Sequence, residues 1–344
     1  MKSSPVTQAM QLLEPDWGGY RALLIEVLAS DNPLLNQINQ YLFEHGGKQI
    51  RPMLALLTAR AICGKTDSTI DLSRAQSCAA VAELIHTATL LHDDVADDSD
   101  VRRGHATVKA LFSPAASVLM GDFWLSRGLK LLIKNRCDYG VLESFALAID
   151  KLSSGEMLQM ERAEDIQTTE EDYFKIISLK TSSLFVATLH STAIEMNASP
   201  AICERICEFA ELLGLSFQIR DDIFDYSPAM DTGKLGGSDI LERKITLPLL
   251  GAFHHAEQTT EGKKAKDTLL QAIRRIDPTT PCPDDQITQK QALEFVQQYE
   301  GISYAEEALN RCVAQAKEAL AILPDSDYRQ VLLELTDYMC YRTR

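Results

Sequence analysis

Segments with the periodicity of amphipathic helices follow one another along nearly the whole chain, and no segment alternates polar and apolar residues as a half-buried strand does. Helix-capping residues mark the boundaries of these segments. Asn32-Pro33 opens a helix that stops at Gly46-Gly47, and Thr168 with Glu171 predicts a capping box. The sequence therefore predicts an all-α fold.

Further helices are predicted over residues 50–64, 72–93, 114–135, 173–196, 199–226, 241–257, 262–275, 286–299, 302–322 and 326–341. A Gly-rich loop is predicted over 227–239, and a long irregular connector over 277–285. Because the roughly 60 residues after that connector would make a marginal core of their own, we predict a single domain over residues 1–344.

Charge and cysteine usage exclude several classes of protein. The chain has 34 Lys and Arg against 49 Asp and Glu, a net charge of −15, which disfavours binding to nucleic acid or to anionic membranes. The eight cysteines show no CxxC spacing, and the N-terminus has no apolar signal core, so we expect a reduced, cytoplasmic setting. The longest apolar stretches fall short of the roughly 18 residues of a transmembrane segment, so we expect none.

Two acidic clusters carry the chemistry. Residues 92–97 read HDDVAD and residues 218–225 read QIRDDIFD, so both contain DDxxD. Asp93 with Asp97, and Asp221 with Asp225, are i, i+4 pairs on a helix face, where two carboxylates repel unless a cation lies between them. One such cluster is usually a solvated helix end. Two copies, each following an apolar helix, predict Mg²⁺ bound to a substrate phosphate, because Mg²⁺ keeps waters and phosphate oxygens among its ligands.

Basic side chains gather near these acids despite the acidic composition. Residues 46–52 (GGKQIRP) place two cations at a helix start, where free backbone N–H groups also attract anions. Arg102-Arg103 follows the first acidic cluster, and arginine can grip phosphate with two hydrogen bonds. Lys180, Lys234 and Lys244 complete the set. Acids and cations together indicate two diphosphate sites, one reached through metal and one through direct contact.

These motifs resemble those of the trans-isoprenyl diphosphate synthases, and most of all the bacterial long-chain polyprenyl diphosphate synthases. The matching patterns are GGKxxRP at 46–52, HDDxxD with RRG at 92–104, KT at 180–181, QxxDDxxD at 218–225, GK at 233–234 and KxTLP at 244–248. The resemblance implies the isoprenoid synthase fold, an antiparallel bundle of helices around a central apolar cavity, and a homodimer. It implies condensation of an allylic prenyl diphosphate with isopentenyl diphosphate, with Mg²⁺ as cofactor and three ions around the bound diphosphate.

The resemblance also assigns roles by motif position. The expected metal ligands are Asp93, Asp97 and Asp221, supported by Asp94, Asp222 and Asp225. The expected contacts to the allylic diphosphate are Arg102, Lys180, Thr181, Gln218, Lys234 and Lys244. Those to isopentenyl diphosphate are Lys48, Arg51, His86 and Arg103. Lys180, Thr181 and Gln218 are the candidate catalytic residues, and no protein group is nominated as general base.

Other functions explain fewer of these residues. An HD-type metal phosphohydrolase would use His92-Asp93 and His86, but it leaves the second acidic cluster and Lys180-Thr181 without a role. A non-catalytic binding subunit is disfavoured because both clusters keep their acids. A terpene cyclase would lack the GGKxxRP and RRG motifs. A short-chain farnesyl or geranylgeranyl diphosphate synthase stays open as the alternative within the family.

Small side chains before the first acidic cluster favour a long product. In the family, bulky aromatics four and five positions before the first aspartate stop elongation early, and here those positions are Thr89 and Ala88. Thr89, Ala82 and Cys78 lie within about 60° of the direction of Asp93 on a helix. The resulting strip of roughly 22 Å, at about 1.5 Å per residue, predicts a product of about 30–40 carbons, with eight isoprene units favoured.

Overall fold

Helices make up almost every element, as the sequence predicts. The computed structural model describes residues 4–64, 70–226, 236–280 and 282–341. The helices are α1 (Pro5–Leu12), α2 (Glu14–Leu28), α3 (Pro33–Glu44), α4 (Ile50–Cys63), α5 (Ser73–Ala96), α6 (Val108–Leu111), α7 (Pro114–Lys134), α8 (Tyr139–Asp165), α9 (Glu170–Ile177), α10 (Ser183–Glu195), α11 (Pro200–Asp225), α12 (Ser238–Leu241), α13 (Leu247–Ala256), α14 (Thr260–Ile273), α15 (Pro283–Gln298), α16 (Gly301–Ala319) and α17 (Asp327–Cys340). The strands β1 (Val101–Arg102) and β2 (His105–Ala106) pair as an antiparallel hairpin.

Side-chain caps fix several of these helix starts. The Asn32 carboxamide oxygen accepts hydrogen bonds from the backbone N–H groups of Leu34 (2.9 Å) and Leu35 (3.4 Å), and Pro33 occupies the first turn of α3. The predicted capping box lies one residue later than expected. It joins Thr169 to Asp172, because Thr169 is the residue that adopts the extended N-cap conformation.

Several features of the local structure differ from the sequence-based expectation, which did not include α1 and α2. Helix α8 was not predicted, since its Ser153-Ser154-Gly155 stretch favours turns as much as helix. The helix expected over 173–196 is divided into α9, a single π-helical turn (Ser178–Ser182) and α10. The two-residue strands of the hairpin are too short for any alternation to be visible in the sequence.

The chain forms two compact units, and the first comprises Met1–Ile149, Leu184–Glu208 and Ala319–Leu335. Helix α5 is central to it, since α5 contacts α2, α4 and α7. Residues 52–61 of α4 and 77–85 of α5 are buried without interruption. A helical stretch buried on all sides packs over its whole surface, and the first acidic cluster lies about two turns beyond this stretch, where α5 becomes exposed.

The second unit comprises Asp150–Ser183, Phe209–Glu318 and Thr336–Arg344. Its core gathers apolar side chains of α12 to α15 around the rings of Phe253 and Phe295, whose centroids lie 5.6 Å apart. Helix α9 and the part of α11 from Phe209 onwards, which carry or flank the second set of motifs, belong to this unit. The single domain over 1–344 stays a prediction. Within the described ranges, no helix has both the length and the apolar character needed to cross a membrane.

Candidate active site

The first acidic cluster lies on the last turns of α5. Asp93 is half-buried and Asp97 is exposed, as expected for an i, i+4 pair that leaves the core of the first unit. Asp94, between them, is only 4% exposed and accepts a 2.7 Å hydrogen bond from Nε of Arg102. Asp94 therefore binds Arg102, which was itself expected at the allylic diphosphate.

The RRG motif forms the turn of the β1–β2 hairpin. Arg103 and Gly104 are the two central residues of the turn, and their φ angles are 54° and 81°. A two-residue hairpin turn of type I′ requires such positive φ angles at both positions. The Arg103 guanidinium lies against the backbone of Gly47 so closely that a Cβ there would collide with Nη1. Any side chain at Gly47 of the GGKxxRP motif would therefore displace the Arg103 guanidinium from this position.

The expected isopentenyl diphosphate residues surround a buried acid that the sequence analysis missed. Glu83 of α5 is 8% exposed, and burial raises its pKa from 4.5 to about 6 against the attraction of Arg51 and Arg103. Burial also lowers the pKa of Arg51 to about 10, while Glu83 opposes that shift and Arg103 adds to it. The Arg51 guanidinium lies 4.4 Å from the centroid of the Phe185 ring, a cation–π contact that helps hold it.

His86 lies in the same environment, one turn after Glu83. Burial lowers its pKa well below the usual range, and the arginines 51, 103 and 102 act in the same direction. His86 is therefore neutral at pH 7 and can donate one hydrogen bond to an anion. Lys48 is exposed at the edge of this group. The arginines, with neutral His86, form a surface suited to a diphosphate.

In the second unit, four side chains form one hydrogen-bonded network. Thr181 Oγ1 donates to Gln218 Oε1 (2.8 Å), and Gln218 Nε2 donates to Asp222 Oδ1 (2.9 Å). The hydroxyl of Tyr173 donates to the other oxygen of Asp222 at 2.6 Å. Burial raises the pKa of Asp222 to about 7, helped by Asp221 and Asp225 and opposed by these two hydrogen bonds. Both oxygens of this carboxylate are thus engaged within the protein.

Asp225 has a structural task as well. One of its oxygens accepts hydrogen bonds from the backbone N–H (3.0 Å) and the hydroxyl (2.6 Å) of Ser238, and the other accepts from the N–H of Asp239 (3.0 Å). The carboxylate therefore caps the start of α12, while residues 227–235 of the predicted Gly-rich loop lie outside the described residues. Asp221 is half-buried beside these two engaged acids.

A cavity of about 130 Å³ adjoins this hydrogen-bonded network. Three cations line it, each paired with an acid: Arg162 with Asp172 (3.1 Å), Lys180 with Glu156, and Lys244 with Glu242. Its other walls are Gln159, Ala163, Thr168, Tyr173, Ile176, Ile177, Thr181, Gln218, Asp222, Asp239, Ile245 and Thr246. Cations beside hydroxyl and amide groups in a partly enclosed space can bind and neutralise a phosphate group.

The acids of both clusters are better suited to a magnesium ion that also binds water and substrate than to a metal ion whose ligands all come from the protein. In the parts of the chain that the structure describes, no group of three or more His, Cys, Asp or Glu side chains surrounds a common metal position. Pairs of carboxylates suit Mg²⁺, which binds one or two carboxylates and completes its shell with waters and substrate phosphates. An all-oxygen donor set also disfavours zinc and other softer metals.

The structure brings most of the expected residues together within each unit. Arg51, His86 and Arg103 are joined in the first unit, and Lys180, Thr181, Gln218 and Lys244 in the second. Lys234 lies outside the described residues. The sequence analysis missed Glu83, Glu156, Tyr173 and Asp239. An acid inside an apolar helix, as at Glu83, is the one signal that would have found such a residue, because buried acids are rare without a partner.

Comparison with known proteins gives one consistent result. The model of the polyprenyl synthetase family matches residues 32–277. The octaprenyl diphosphate synthase of Escherichia coli (strain K12) is 36% identical over 346 residues, which cover 97% of this chain and 98% of that protein. A decaprenyl diphosphate synthase from Rhodobacter capsulatus aligns with a TM-score of 0.86 at 32% identity, covering 98% of this chain and 99% of that one. A polyprenyl synthase from Caulobacter crescentus CB15, complexed with calcium and isoprenyl diphosphate, also aligns with a TM-score of 0.86 at 32% identity, over 100% of both chains.

Proposed function

Because this chain belongs to the polyprenyl synthetase family and is a trans-prenyl diphosphate synthase, we propose that it makes a long all-trans polyprenyl diphosphate. Its substrates are an allylic prenyl diphosphate and isopentenyl diphosphate, and its product has about 30–40 carbons, eight isoprene units being favoured. The octaprenyl and decaprenyl synthases among its relatives support a long product.

The observation that carries this proposal is the cavity of the second unit. Lys180 and Lys244 line it beside Thr181 and Gln218, the residues that the KT, KxTLP and QxxDDxxD motifs assign to the allylic diphosphate. Breaking the allylic C–O bond transfers negative charge to the departing diphosphate. Cations fixed in a partly dry site stabilise that charge as it develops. Thr181 and Gln218, held by their mutual hydrogen bond, would orient the allylic group.

Asp93, Asp97 and Asp221 would hold Mg²⁺, in a set of three ions when the diphosphate is bound. The metal supplies Lewis-acid stabilisation of the leaving diphosphate. Asp94, Asp222 and Asp225 are proposed to support this metal site, and their contacts within the protein give them a second task. They fix Arg102, Gln218 and the start of α12.

Isopentenyl diphosphate is proposed to bind at the arginine group of the first unit. Arg51 and Arg103 would bind its diphosphate, Lys48 would close over it from the exposed side, and neutral His86 would donate a hydrogen bond. Binding that fixes the orientation of isopentenyl diphosphate would lower the entropic cost of bringing its alkene to reaction. The released diphosphate is proposed to take up the final proton.

We further propose that the active form is a homodimer working in the cytoplasm. The dimer is supported by an apolar face on α7, and the location by eight cysteines without the spacing of a disulfide-stapled scaffold. An HD-type phosphohydrolase has no support from the site. His92, which it would need as a ligand, lies against Gly121 and points Nε2 at the carbonyl oxygen of Val118, 3.3 Å away.

The test follows incorporation of radiolabelled isopentenyl diphosphate into extractable product, primed with farnesyl diphosphate and Mg²⁺. EDTA should abolish turnover, and Asp93→Ala or Asp221→Ala should each lower it at least 100-fold, about 2.7 kcal/mol of transition-state stabilisation. The matched control is Asp98→Ala, since Asp98 is an exposed acid of the same segment paired with Lys109, and it should keep activity within about threefold. Mild effects from both cluster variants would contradict the proposed metal ligands.

A further inference from the structure

Lys180 and Thr181 belong to an unusual turn of helix. Residues Ser178–Ser182, here called the π-turn, connect α9 to α10, and the backbone N–H of Ser183 donates to the carbonyl of Ser178, five residues earlier. Such wide turns are less favourable than α-helix and recur at functional sites. Something in the surrounding structure must therefore hold the π-turn in place.

One neighbour of the π-turn is a glycine of α8. A Cβ atom added to Gly155 would lie 2.8 Å from Cβ of Leu179 and 2.9 Å from the backbone nitrogen of Lys180. Side-chain carbons essentially never approach backbone this closely, so only a hydrogen atom fits there. The next residue of α8, Glu156, forms the ion pair with Lys180.

A second glycine, on α11, makes an equally close contact at the other end of the π-turn. A Cβ on Gly214 would lie 2.5 Å from both Cα and Oγ of Ser182. Since Cα belongs to the backbone, no rotation of the Ser182 side chain can make room. Gly214 lies one helical turn before Gln218, which accepts the hydrogen bond of Thr181.

Two serine hydroxyls complete the support of the π-turn. Ser183 Oγ donates to the carbonyl oxygen of Leu179 (2.6 Å), and Ser182 Oγ donates to the carbonyl oxygen of Glu211 on α11 (3.1 Å). The Ser182 bond ties the end of the π-turn to α11, the Ser183 bond is a local i, i−4 bond to the π-turn itself, and Thr181 within the turn is buried.

We propose that Gly155 and Gly214 are positioning residues for the reaction. Together they form a glycine clamp that holds the π-turn at the one place where Lys180 lines the cavity and Thr181 reaches Gln218. This inference rests on the proposed function, because it assigns the clamp to the allylic side of that reaction. Any larger side chain at either position must displace the π-turn, and with it the two side chains that contact the allylic diphosphate.

The experiment compares Gly155→Ala and Gly214→Ala with the matched control Gly128→Ala. Gly128 is also a buried glycine of a helix, but a Cβ there would meet its nearest neighbours at an ordinary 3.7 Å. Each clamp variant should lower kcat/KM for the allylic substrate at least tenfold while changing KM for isopentenyl diphosphate less than twofold. Gly128→Ala should stay within twofold of wild type for both substrates. Equal losses on both substrates, or no loss, would overturn the assignment.

A second variant and a second measurement keep the proposal testable if a clamp variant does not fold. Ser183→Ala removes only the hydroxyl bonded to Leu179 and should lower kcat/KM for the allylic substrate about threefold, leaving KM for isopentenyl diphosphate unchanged; wild-type kinetics would count against the clamp. Amide hydrogen exchange of the peptide spanning 178–183 should be at least tenfold faster in Gly214→Ala than in wild type, with no change for the peptide 79–88. Unchanged exchange at 178–183 would overturn the clamp. Since exchange needs no turnover, it tests the clamp even if wild type makes no polyprenyl product, a result that would refute only the proposed function.

Discussion

Glu83 shows how a single buried acid can prepare a binding site. Its carboxylate is attracted by Arg51 and Arg103, and it accepts a hydrogen bond from Gln49. The negative charge of Glu83 offsets part of the repulsion between two guanidinium groups held close together, although burial opposes that charge more strongly. Glu83 therefore holds both arginines near one place before a diphosphate arrives.

This arrangement makes the free energy of unfolding depend on pH. Burial raises the pKa of Glu83 from 4.5 to about 6 in the folded protein, so the folded state loses stability as pH rises through that window, by about 2 kcal/mol in total. Glu83→Gln cannot ionise. We expect it to be more stable than wild type by about that amount at pH 8, and equally stable near pH 4.5.

Chemical denaturation at the two pH values measures this difference. Glu143→Gln, a change at an exposed acid of α8, is the control and should match wild type throughout. A Glu83→Gln variant that is less stable than wild type at pH 8 would show that the arginines need the charge more than burial opposes it.

The two diphosphate sites should separate in steady-state kinetics. Arg103→Ala should raise KM for isopentenyl diphosphate at least tenfold, because Arg103 belongs to the arginine group of the first unit. Lys180→Ala should instead lower kcat at saturating isopentenyl diphosphate, because it removes a cation from the cavity of the second unit. Lys175→Ala, at an exposed lysine of α9, should change neither. If both variants altered KM for the same substrate alone, these assignments would be wrong.

Sequence motifs predict which acids gather here, but they do not separate the tasks of neighbouring acids. Asp93 and Asp94 are adjacent letters of HDDxxD, yet Asp94 is buried and bound to Arg102, while Asp93 lies at the surface of the core. Asp222 likewise differs from its neighbour Asp221, because Tyr173 and Gln218 donate hydrogen bonds to its two carboxylate oxygens. Tyr173 is 49 residues away in sequence from Asp222, and no local spacing reveals such a contact.

At the scale of elements, helices with clear caps were predictable and departures from α-helix were not. Proline and asparagine fix the start of α3 locally, so its sequence is sufficient. The π-turn depends on Gly155 and Gly214, which belong to other helices. Its sequence alone reads as an uninterrupted helix, and this is why the break between α9 and α10 was missed.

Helix α5 also carries the prediction of product length. Cys78, Ala82 and Thr89 lie on one side of it, and Ile85 lies just outside that strip, about 80° from the direction of Asp93. Thr89 is half-buried, whereas Ala88 is fully buried on the side where Leu84 packs near Gly128 of α7. Trp124 donates to Asn39 Oδ1 (2.9 Å) and is part of the core.

We expect Thr89→Phe to shift the product towards 15 or 20 carbons while condensation continues, because the ring would narrow the channel that we propose along this strip. Ala88→Phe should shorten the product too, but at a cost in stability of about 1–3 kcal/mol from overpacking. Reverse-phase chromatography of the products sizes both. Thr89→Ser is the control and should keep the wild-type length. A double Phe variant that still makes the full-length product would exclude this channel.

At the scale of the whole molecule, α7 exposes large apolar side chains that no described residue covers, interspersed with the exposed residues Asp122, Ser126 and Lys130. Its buried face, with Met120, Trp124 and Leu131, packs against the core of the first unit. The opposite face exposes Leu119, Leu129 and Ile133. On a protein with a net charge of −15, a row of large exposed apolar side chains along one helix is typical of an interface. A second copy of the chain is the expected partner.

Leu129→Glu with Ile133→Glu should therefore turn a dimer into a monomer. In a twofold interface each substitution occurs twice, so four carboxylates would be placed in contact with apolar surface, each at a cost of several kcal/mol unless it is re-exposed. Analytical ultracentrifugation at micromolar concentration should find twice the chain mass for wild type and the single chain mass for the variant. The matched control is Ile287→Glu on α15, since Ile287 is 56% exposed and Ile133 is 62% exposed; this variant should stay dimeric. A wild type that sediments as a monomer, or a double variant that remains a dimer, would place the interface elsewhere or exclude it.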